Sequence, residues 1–229
     1  MSYIVLNGIR STLIRGLMIQ SLPPITKPLI RAEVEEIDGR DGDITRKLGY
    51  AAYDKTIVIG LFGTFDVDEV IKYFNSEGEV TFSNEPDKVY RYRIFEQIDF
   101  ERLIRYRVAR VRMHVQPFKY SFSEHPLTFE GDANIRNAGN IISRPKITIT
   151  GSGDIGVYIG NNQIFEIAMG SGGTITIDSE ALEAYNGNAL MNRHVIGDYN
   201  NFVFKPGNNA LSLTGTVTEY TVENYSRWI

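Results

Sequence analysis

The chain has 229 residues, 42% of them hydrophobic and 23% charged, and these values exclude a globally disordered protein. It contains no cysteine, which excludes disulfides, thiolate metal sites and a cysteine nucleophile. The formal net charge of −4 gives no basic bias toward nucleic acid, and no run of 18 apolar residues or signal-peptide pattern is visible.

The composition changes near residue 120. Residues 1–120 contain 18 basic residues (Lys and Arg) and 17 acidic residues (Asp and Glu). Residues 121–229 contain 6 basic and 11 acidic residues. Pro117 and Pro126 flank the join, where prolines restrict the backbone. This change predicts two domains, residues 1–119 and residues 120–229.

The first domain is predicted as α+β, with one main α-helix over Asp66–Gly78. Val67, Val70, Ile71 and Phe74 follow the spacing of one buried helical face, Asp66 suits the N-cap, and Gly78 suits the left-handed position after the last turn. The turn Asn84-Glu-Pro-Asp87 joins two of the strands. Strands are predicted at Tyr3–Leu6, Ile30–Ile37, Lys55–Phe62, Glu79–Ser83, Val89–Gln97 and Leu103–Gln116.

The second domain is predicted as all β, in a sandwich or jelly roll, because short β-branched runs alternate with glycine and asparagine turns. The predicted strands are Leu127–Phe129, Lys146–Thr150, Gly156–Ile159, Gln163–Ala168, Thr174–Ile177, Asn201–Phe204 and Ala210–Glu223. Turns are predicted at Asn137–Asn140, Gly151–Asp154, Gly160–Asn162, Gly170–Gly173, Asn186–Gly187 and Pro206–Asn209. The fold class is therefore mainly β with one main α-helix.

The loop Asp38-Gly-Arg-Asp-Gly-Asp43 carries three carboxylates within six residues. An EF-hand calcium loop requires a glutamate at its twelfth position, and that position is Gly49. The pattern therefore favours a glycine-bearing loop between strands over a metal site.

No motif indicates catalysis or a cofactor. Gly151-Ser-Gly-Asp154 and Gly170-Ser-Gly-Gly173 lack the lysine and the helix of a phosphate-binding loop. Neither Ser152 nor Ser171 lies in a nucleophile elbow, although a catalytic triad or a carboxylate pair is recognised by geometry rather than by order. We predict no enzyme, no cofactor and no metal ion.

Seven arginines and three tyrosines are concentrated near the end of the first domain. Cations with aromatic rings are typical of a nucleic-acid surface, but the alternation in Val89–Ile94 favours half-exposed strands whose arginines pair with carboxylates or face a subunit. The arginines are Arg91, Arg93, Arg102, Arg105, Arg107, Arg110 and Arg112. The only tryptophan, Trp228, favours the closing of a core edge over the stacking of a sugar.

An ordered set of motifs in the second domain resembles the distal tail (Dit) proteins of siphophages and prophages of Gram-positive bacteria. The set includes Asn137-Ala-Gly-Asn140, Pro145–Asp154, Thr174–Glu180, Asn186-Gly187, Gly197-Asp198, Phe204–Gly215 and Arg227-Trp228. The first domain is compatible through Asn7-Gly8, the loop Gly39–Asp43, the capped helix and a long strand leading to Pro117-Phe118. The resemblance covers essentially the whole chain.

This resemblance implies a structural role in a phage tail. The first domain would be a ring-forming belt domain that assembles six copies around a channel for the genome. The second would be a galectin-like β-sandwich. The implied partners are other copies of the chain, the major tail tube protein, the tail-associated tip protein and, in some phages, receptor-binding proteins, all in the virion tail and without membrane or specific nucleic-acid binding.

A closed ring requires two different complementary surfaces on each subunit. The charges and glycines of the loop make Asp38, Gly39, Arg40, Asp41, Gly42 and Asp43 the candidate contact to a neighbouring subunit or ring. The alternative is a carbohydrate-binding module that recognises a bacterial cell-wall polymer. A cell-wall hydrolase is the third and least favoured hypothesis.

Overall fold

A computed structural model describes residues 2–75 and 77–229. Contacts between residues divide the chain into two compact units. The first consists of Met1–Phe122 together with Ile229, and the second of Ser123–Trp228. The protein is mainly β, as the composition and patterning predict. Neither of its two α-helices has the length and the apolar character that crossing a membrane requires, within the residues described.

The first unit is a curled β-sheet flanked by two short helices. The helices are α1 (Val67–Phe74) and α2 (Phe100–Tyr106). The strands are β1 (Ile4–Leu6), β2 (Ile9–Arg10), β3 (Leu17–Ser21), β4 (Ile30–Glu36), β5 (Asp43–Tyr50), β6 (Tyr53–Leu61), β7 (Gly78–Phe82), β8 (Lys88–Arg93) and β9 (Val108–Ser121).

The main sheet of this unit has the order β2-β1-β7-β8-β9-β6-β3, and every pairing along it is antiparallel. Alternate residues of each strand point inward, as the period of a strand requires. Strand β9 illustrates this, since Val111, Met113 and Val115 are completely buried between exposed or half-exposed neighbours. Strands β4 and β5 lie outside this order and pair only with each other.

Helix α1 begins as its sequence predicts. The Asp66 carboxylate accepts hydrogen bonds from the backbone N–H groups of Asp68 and Glu69, and Val70, Tyr73 and Phe74 are buried. The predicted helix end is wrong, because α1 ends at Phe74 and Gly78 begins β7 instead of capping the helix. Asn7 Oδ1 lies where a Cβ at Gly78 would be, which explains the glycine at that position.

Helix α2 contradicts the predicted strand Leu103–Gln116 over its first four residues. Asp99 accepts a hydrogen bond from the Arg102 N–H and caps the helix, Leu103 is its buried residue, and Arg107 ends it in the left-handed conformation with φ of 61°. Strand β9 starts only at Val108. Strand β8 likewise ends at Arg93 and not at Gln97, since the chain then leaves the sheet to reach α2.

The second unit contains ten strands and no α-helix among its described residues. They are β10 (Leu127–Phe129), β11 (Ala133–Asn137), β12 (Lys146–Ile159), β13 (Asn162–Ala168), β14 (Gly173–Asp178), β15 (Glu183–Asn186), β16 (Ala189–Leu190), β17 (Val195–Gly197), β18 (Gly207–Glu223) and β19 (Arg227–Trp228).

Strands β12 and β18 organise this unit. They pair with each other along almost their whole length, and the register shifts between Thr150 and Gly151 and again between Ser152 and Gly156. Before the shifts β12 pairs with β14, and after them it pairs with β13. Ile147 and Ile149 from the first half and Ile155 and Val157 from the second half belong to one buried cluster, so the sheet folds over on itself as a sandwich.

Three predictions for this unit are wrong. The predicted turn Pro206–Asn209 lies mostly within a strand, because β18 begins at Gly207. Gly151–Asp154 is not a hairpin turn between two strands, because β12 runs through it as an irregular stretch of one long strand. Asn201–Phe204 is not a strand but follows a 3-10 turn over Tyr199–Asn201. The turns at Gly160–Asn162 and Gly170–Gly173 are confirmed, since each joins antiparallel neighbours.

Candidate interaction surface

The most conspicuous surface feature of the first unit is the hairpin of β4 and β5, hereafter the arm (Ile30–Tyr50). Every residue from Leu29 to Leu48 is exposed, and the arm forms its own two-stranded sheet. Strand β5 has eight residues, which corresponds to a length of about 25 Å at roughly 3.3 Å per residue. An isolated two-stranded hairpin is only marginally stable in water, which makes the arm a candidate interaction surface.

The register gives the arm two chemically different faces. Ile30, Ala32 and Val34 lie on one face with their partners Tyr50, Lys47 and Thr45. Arg31, Glu33 and Glu35 lie on the other, where Glu33 and Arg46 approach to 3.9 Å. Since directly paired residues share a face, the first face carries three aliphatic side chains among polar ones that include Glu36 and Asp43, and Val34 on it is 60% exposed.

The six residues predicted as an interface form the end of the arm. We define the arm tip as Glu36–Asp43, which surrounds a shallow depression of about 430 Å³. Gly39 and Gly42 adopt φ of 82° and 80°, a conformation that favours glycine, and the Asp43 carboxylate accepts a hydrogen bond from the Thr45 hydroxyl. The structure therefore places all six predicted residues together and in solvent, with no partner chain present to test the predicted contact.

Charge at the arm tip is unbalanced. Glu36, Asp38, Asp41 and Asp43 oppose only Arg40, so the tip has a net charge of −3. Within residues 2–75 and 77–229, Glu36, Asp38 and Asp41 form no ion pair. The tip is thus an acidic projection without an internal counter-charge beyond Arg40.

The root of the arm is held by buried polar contacts that sequence reasoning missed. The Lys55 ammonium, on a side chain only 2% exposed, donates a hydrogen bond to the Pro24 carbonyl at 2.9 Å, and Asn84 Nδ2 donates to the Pro23 carbonyl at 3.0 Å. The Ala51 N–H donates to the Leu29 carbonyl at 2.8 Å and closes the hairpin. The proline-rich segment before β4 is thereby fixed to the sheet.

Lys55 belongs to a buried cluster of charges. Glu85 accepts a hydrogen bond from Lys119 at 2.8 Å and another from the Tyr90 hydroxyl. Burial lowers the pKa of Lys55, an effect that the nearby Glu85 partly offsets, whereas burial together with Glu85 raises the pKa of Tyr90. One carboxylate between two ammonium groups is a structural network, and it lies at the root of the arm rather than in a substrate cavity.

Five of the seven arginines of the predicted cluster divide into two groups, whereas Arg91 and Arg107 lie over the rings of Tyr120 and Phe65. On the sheet face, Arg93 pairs with Glu77 at 2.9 Å, Arg112 with Glu96 at 2.8 Å, and His114 lies 2.9 Å from Asp54. These pairs agree with the interpretation of half-exposed strands whose arginines meet carboxylates. They also remove much of the positive charge that a nucleic acid would need.

The second group lies on α2 and at the start of β9, and we define it as the arginine surface: Arg102, Arg105 and Arg110 with Ile104, Tyr106 and Val108. Among the described residues, these three arginines form no ion pair. Tyr106 is 63% exposed, with Ile104 and Val108 also exposed beside it. Arg102, Arg110 and Val108 line a cavity of about 450 Å³ together with Asp99.

The arm root and the arginine surface lie at opposite ends of β6. Tyr53 starts the strand three residues after the arm, whereas the Leu61 N–H at its other end donates to the Arg107 carbonyl at 3.1 Å. Nine residues of β6 separate the two ends by about 30 Å. The first unit thus presents two different surfaces at two distant places.

The asparagine-rich turns of the second unit have structural roles. Asn137 is 1% exposed, and its Nδ2 donates to the carbonyls of Ile141 and Phe204 while its Oδ1 accepts from the Gly139 N–H. Asn209 similarly donates to Lys205 and Gly207. In the part of the chain described, no three His, Asp or Glu side chains converge as a metal site requires.

Comparison with known proteins finds structures of similar fold but no relative by sequence. No protein-family model matches the chain, and no curated protein matches it. The fold is similar to the crystal structure of SPP1 Dit (gp 19.1), described as a paradigm of the hub adsorption apparatus in phages that infect Gram-positive bacteria, with a TM-score of 0.69, 16% identity and 100% coverage of both chains. The phage P2 baseplate in its activated conformation matches with a TM-score of 0.46, 9% identity and 97% coverage of both chains.

At 16% identity the similarity to SPP1 Dit concerns the fold. It spans both units and confirms, at that level, the resemblance to siphophage distal tail proteins that the motifs indicate.

Proposed function

We propose that this protein is the structural hub of a phage tail tip and that six copies form a ring around a channel for genome passage. The ring joins the major tail tube protein to the tail-associated tip protein in the virion tail. The second unit offers an attachment surface for receptor-binding proteins. In this proposal the protein has no catalytic site, no cofactor and no metal ion.

The observation that carries the proposal is the similarity in fold to SPP1 Dit over the full length of both chains. A fold alone does not establish a function, so the support must also come from the surface. The arm supports it, because a long hairpin that exposes aliphatic side chains can complete its packing against another copy.

The charge distribution is compatible with a channel through which DNA passes without being held. The chain is acidic overall, and Glu77, Glu96 and Asp54 offset the basic residues of the sheet face. Tight binding to phosphates would require many unpaired cations and would slow passage.

The experiment that tests the proposal is light scattering across a size-exclusion peak, with the same peak imaged by negative-stain electron microscopy. Six copies predict a mass of about 155 kDa, six times the 25.9 kDa of one chain, and ring-shaped particles with a central hole. A monomer at every concentration would contradict the ring. A monomer that also binds cell-wall glycan, in competition with free sugar, would support the carbohydrate-binding module instead.

A further inference from the structure

We propose that the ring is closed by an interlock in which the arm tip of one copy binds the arginine surface of the next copy. The inference rests on the proposed hexameric ring and assigns the two surfaces that meet in it. The occupant of the arginine surface is thus a second copy of this chain, and the contact is repeated head to tail.

The first argument is charge complementarity. The arm tip has a net charge of −3, and Glu36, Asp38 and Asp41 have no partner within the described chain. The arginine surface carries Arg102, Arg105 and Arg110, likewise without a carboxylate partner, and residues 102–123 contain no Asp or Glu. Asp99 and Glu101 lie at the start of α2 and reduce the positive charge there without cancelling it. Complementary charges of this kind steer association and fix register.

The second argument is apolar surface on both sides. The arm exposes Ile37 and Ile44 near its tip, at 43% and 41%, and the arginine surface exposes Ile104 and Tyr106, at 44% and 63%. Side chains of this size gain free energy when they leave water together, whereas charges alone would be screened by salt. Arginine at the rim of an apolar contact is also typical of protein interfaces.

The third argument is topology. The arm leaves the sheet at the start of β6, and the arginine surface lies at the end of the same strand. Two non-identical surfaces at separate places produce a heterologous contact, which closes into a ring when the rotation between copies permits it. The buried contacts of Lys55 and Asn84 at the root fix where the arm leaves the sheet.

Charge reversal tests the contact from both sides. We expect D38K/D41K, and separately R105E/R110E, to raise the protein concentration needed for half-assembly at least about tenfold, because each places like charges opposite one another. The two pairs of substitutions combined in one chain restore opposite charges and should recover most of the assembly. The control E130K/E166K makes the same change of net charge as D38K/D41K at two exposed glutamates of the second unit, and it should assemble normally.

Crosslinking gives a second readout that does not depend on weakening the ring. The chain contains no cysteine, so D41C and R105C introduce the only thiols. With a flexible bismaleimide, the double variant D41C/R105C should give a ladder of covalent oligomers up to the hexamer. Each single variant should remain mostly uncrosslinked, since a head-to-tail contact does not bring identical positions together.

The outcomes separate this inference from the proposed function. A wild-type ring with no effect of charge reversal and no ladder overturns the interlock and leaves the hub intact. A wild-type chain that never forms a ring overturns both. Salt-dependent DNA binding that R105E/R110E abolishes, without any effect on assembly, would assign the arginine surface to nucleic acid and overturn the interlock. Circular dichroism of every variant should match the wild type, which excludes misfolding as the cause.

Discussion

Two asparagines of the second unit, Asn137 and Asn209, are of a residue type that usually forms exposed turns, yet here their side chains form hydrogen bonds inside the unit. Asn137 ends β11, and its side-chain amide pairs with the Ile141 carbonyl and the Gly139 N–H and adds a second donor to the Phe204 carbonyl, which also accepts from the Ser143 N–H. The same pattern recurs at Asn209. Buried polar groups must be paired, so these side chains are structural and not free for a ligand.

Replacing Asn137 by alanine should therefore destabilise the second unit. The change leaves the Ile141 carbonyl and the Gly139 N–H without their partner and removes one of the two donors to the Phe204 carbonyl, which we expect to lower the free energy of unfolding by about 2–4 kcal/mol. Urea unfolding followed by circular dichroism measures it. Asn161→Ala, in an exposed turn, is the matched control and should change the free energy by less than about 0.5 kcal/mol. Equal effects of the two variants would refute the structural role.

Gly215 is a second residue whose identity is dictated by its surroundings. It has φ of +96°, and a Cβ there would lie 2.2 Å from the Asp154 carbonyl oxygen where β18 crosses the irregular part of β12. We expect Gly215→Val to lower the free energy of unfolding by more than about 3 kcal/mol, or to prevent folding. Gly131→Ala, where nothing lies within 4 Å of the added atom, should be tolerated. Thermal unfolding of the two variants side by side gives the comparison, and a stable Gly215→Val would contradict the close approach.

At the scale of elements, the sequence signals succeeded where a clear apolar pattern had a defined start and failed where no such pattern marked the element. Helix α1 was predictable from its cap and its apolar spacing. Helix α2 was not, because its seven residues include only one buried side chain and run directly into the alternating pattern of β9. Strand β5 was missed because nearly all its residues are exposed and charged or polar residues interrupt it, so no buried face marks it.

The candidate interface was predictable only in part. Glycines and carboxylates marked the arm tip at Asp38–Asp43, but the strands on both sides were needed to show that it projects into solvent. The sequence shows that arginines are concentrated near the end of the first domain, but it does not show which of them lie together on one surface. Pairing of Arg93 and Arg112 with Glu77 and Glu96 depends on which strands are neighbours, and this is not encoded by local spacing.

The arm should contribute to assembly and not to the stability of the unit that carries it. Replacing Arg31–Gly49 by a short Gly-Ser linker removes residues that are almost all exposed, so we expect the unfolding temperature of the chain to remain within a few degrees of the wild type. The ring should be lost in light scattering, because the arm tip and the exposed aliphatic side chains of the arm are absent. Ile59→Ala, at a completely buried position, is the contrasting control and should cost about 2–5 kcal/mol without removing the arm. A deletion variant that still forms rings would show that other surfaces build the assembly.

At the scale of the whole molecule, the chain is built around two separate hydrophobic cores. The first cluster extends from Ile4 to Val115 and the second from Ala133 to Val222, and they share no residue. A unit with its own core is expected to unfold as its own cooperative transition. The change of composition near residue 120 and the division into two compact units lie close together along the chain.

Calorimetry should therefore resolve two transitions. We expect Asn137→Ala to lower the temperature of one transition only and Ile59→Ala to lower the other, since each residue belongs to a different core region. Differential scanning calorimetry of the wild type and both variants is the measurement. A single transition that shifts as a whole in both variants would mean that the two units unfold together.

The long pairing of β12 with β18 also has a mechanical consequence. The two antiparallel strands pair from Lys146 with Glu223 to Ile159 with Leu211, with an irregular interruption between Ser152 and Gly156. A force applied along the strands would load these hydrogen bonds in shear, so that many must break at the same time rather than one after another. We therefore expect the second unit to resist force along these strands more strongly than force across them.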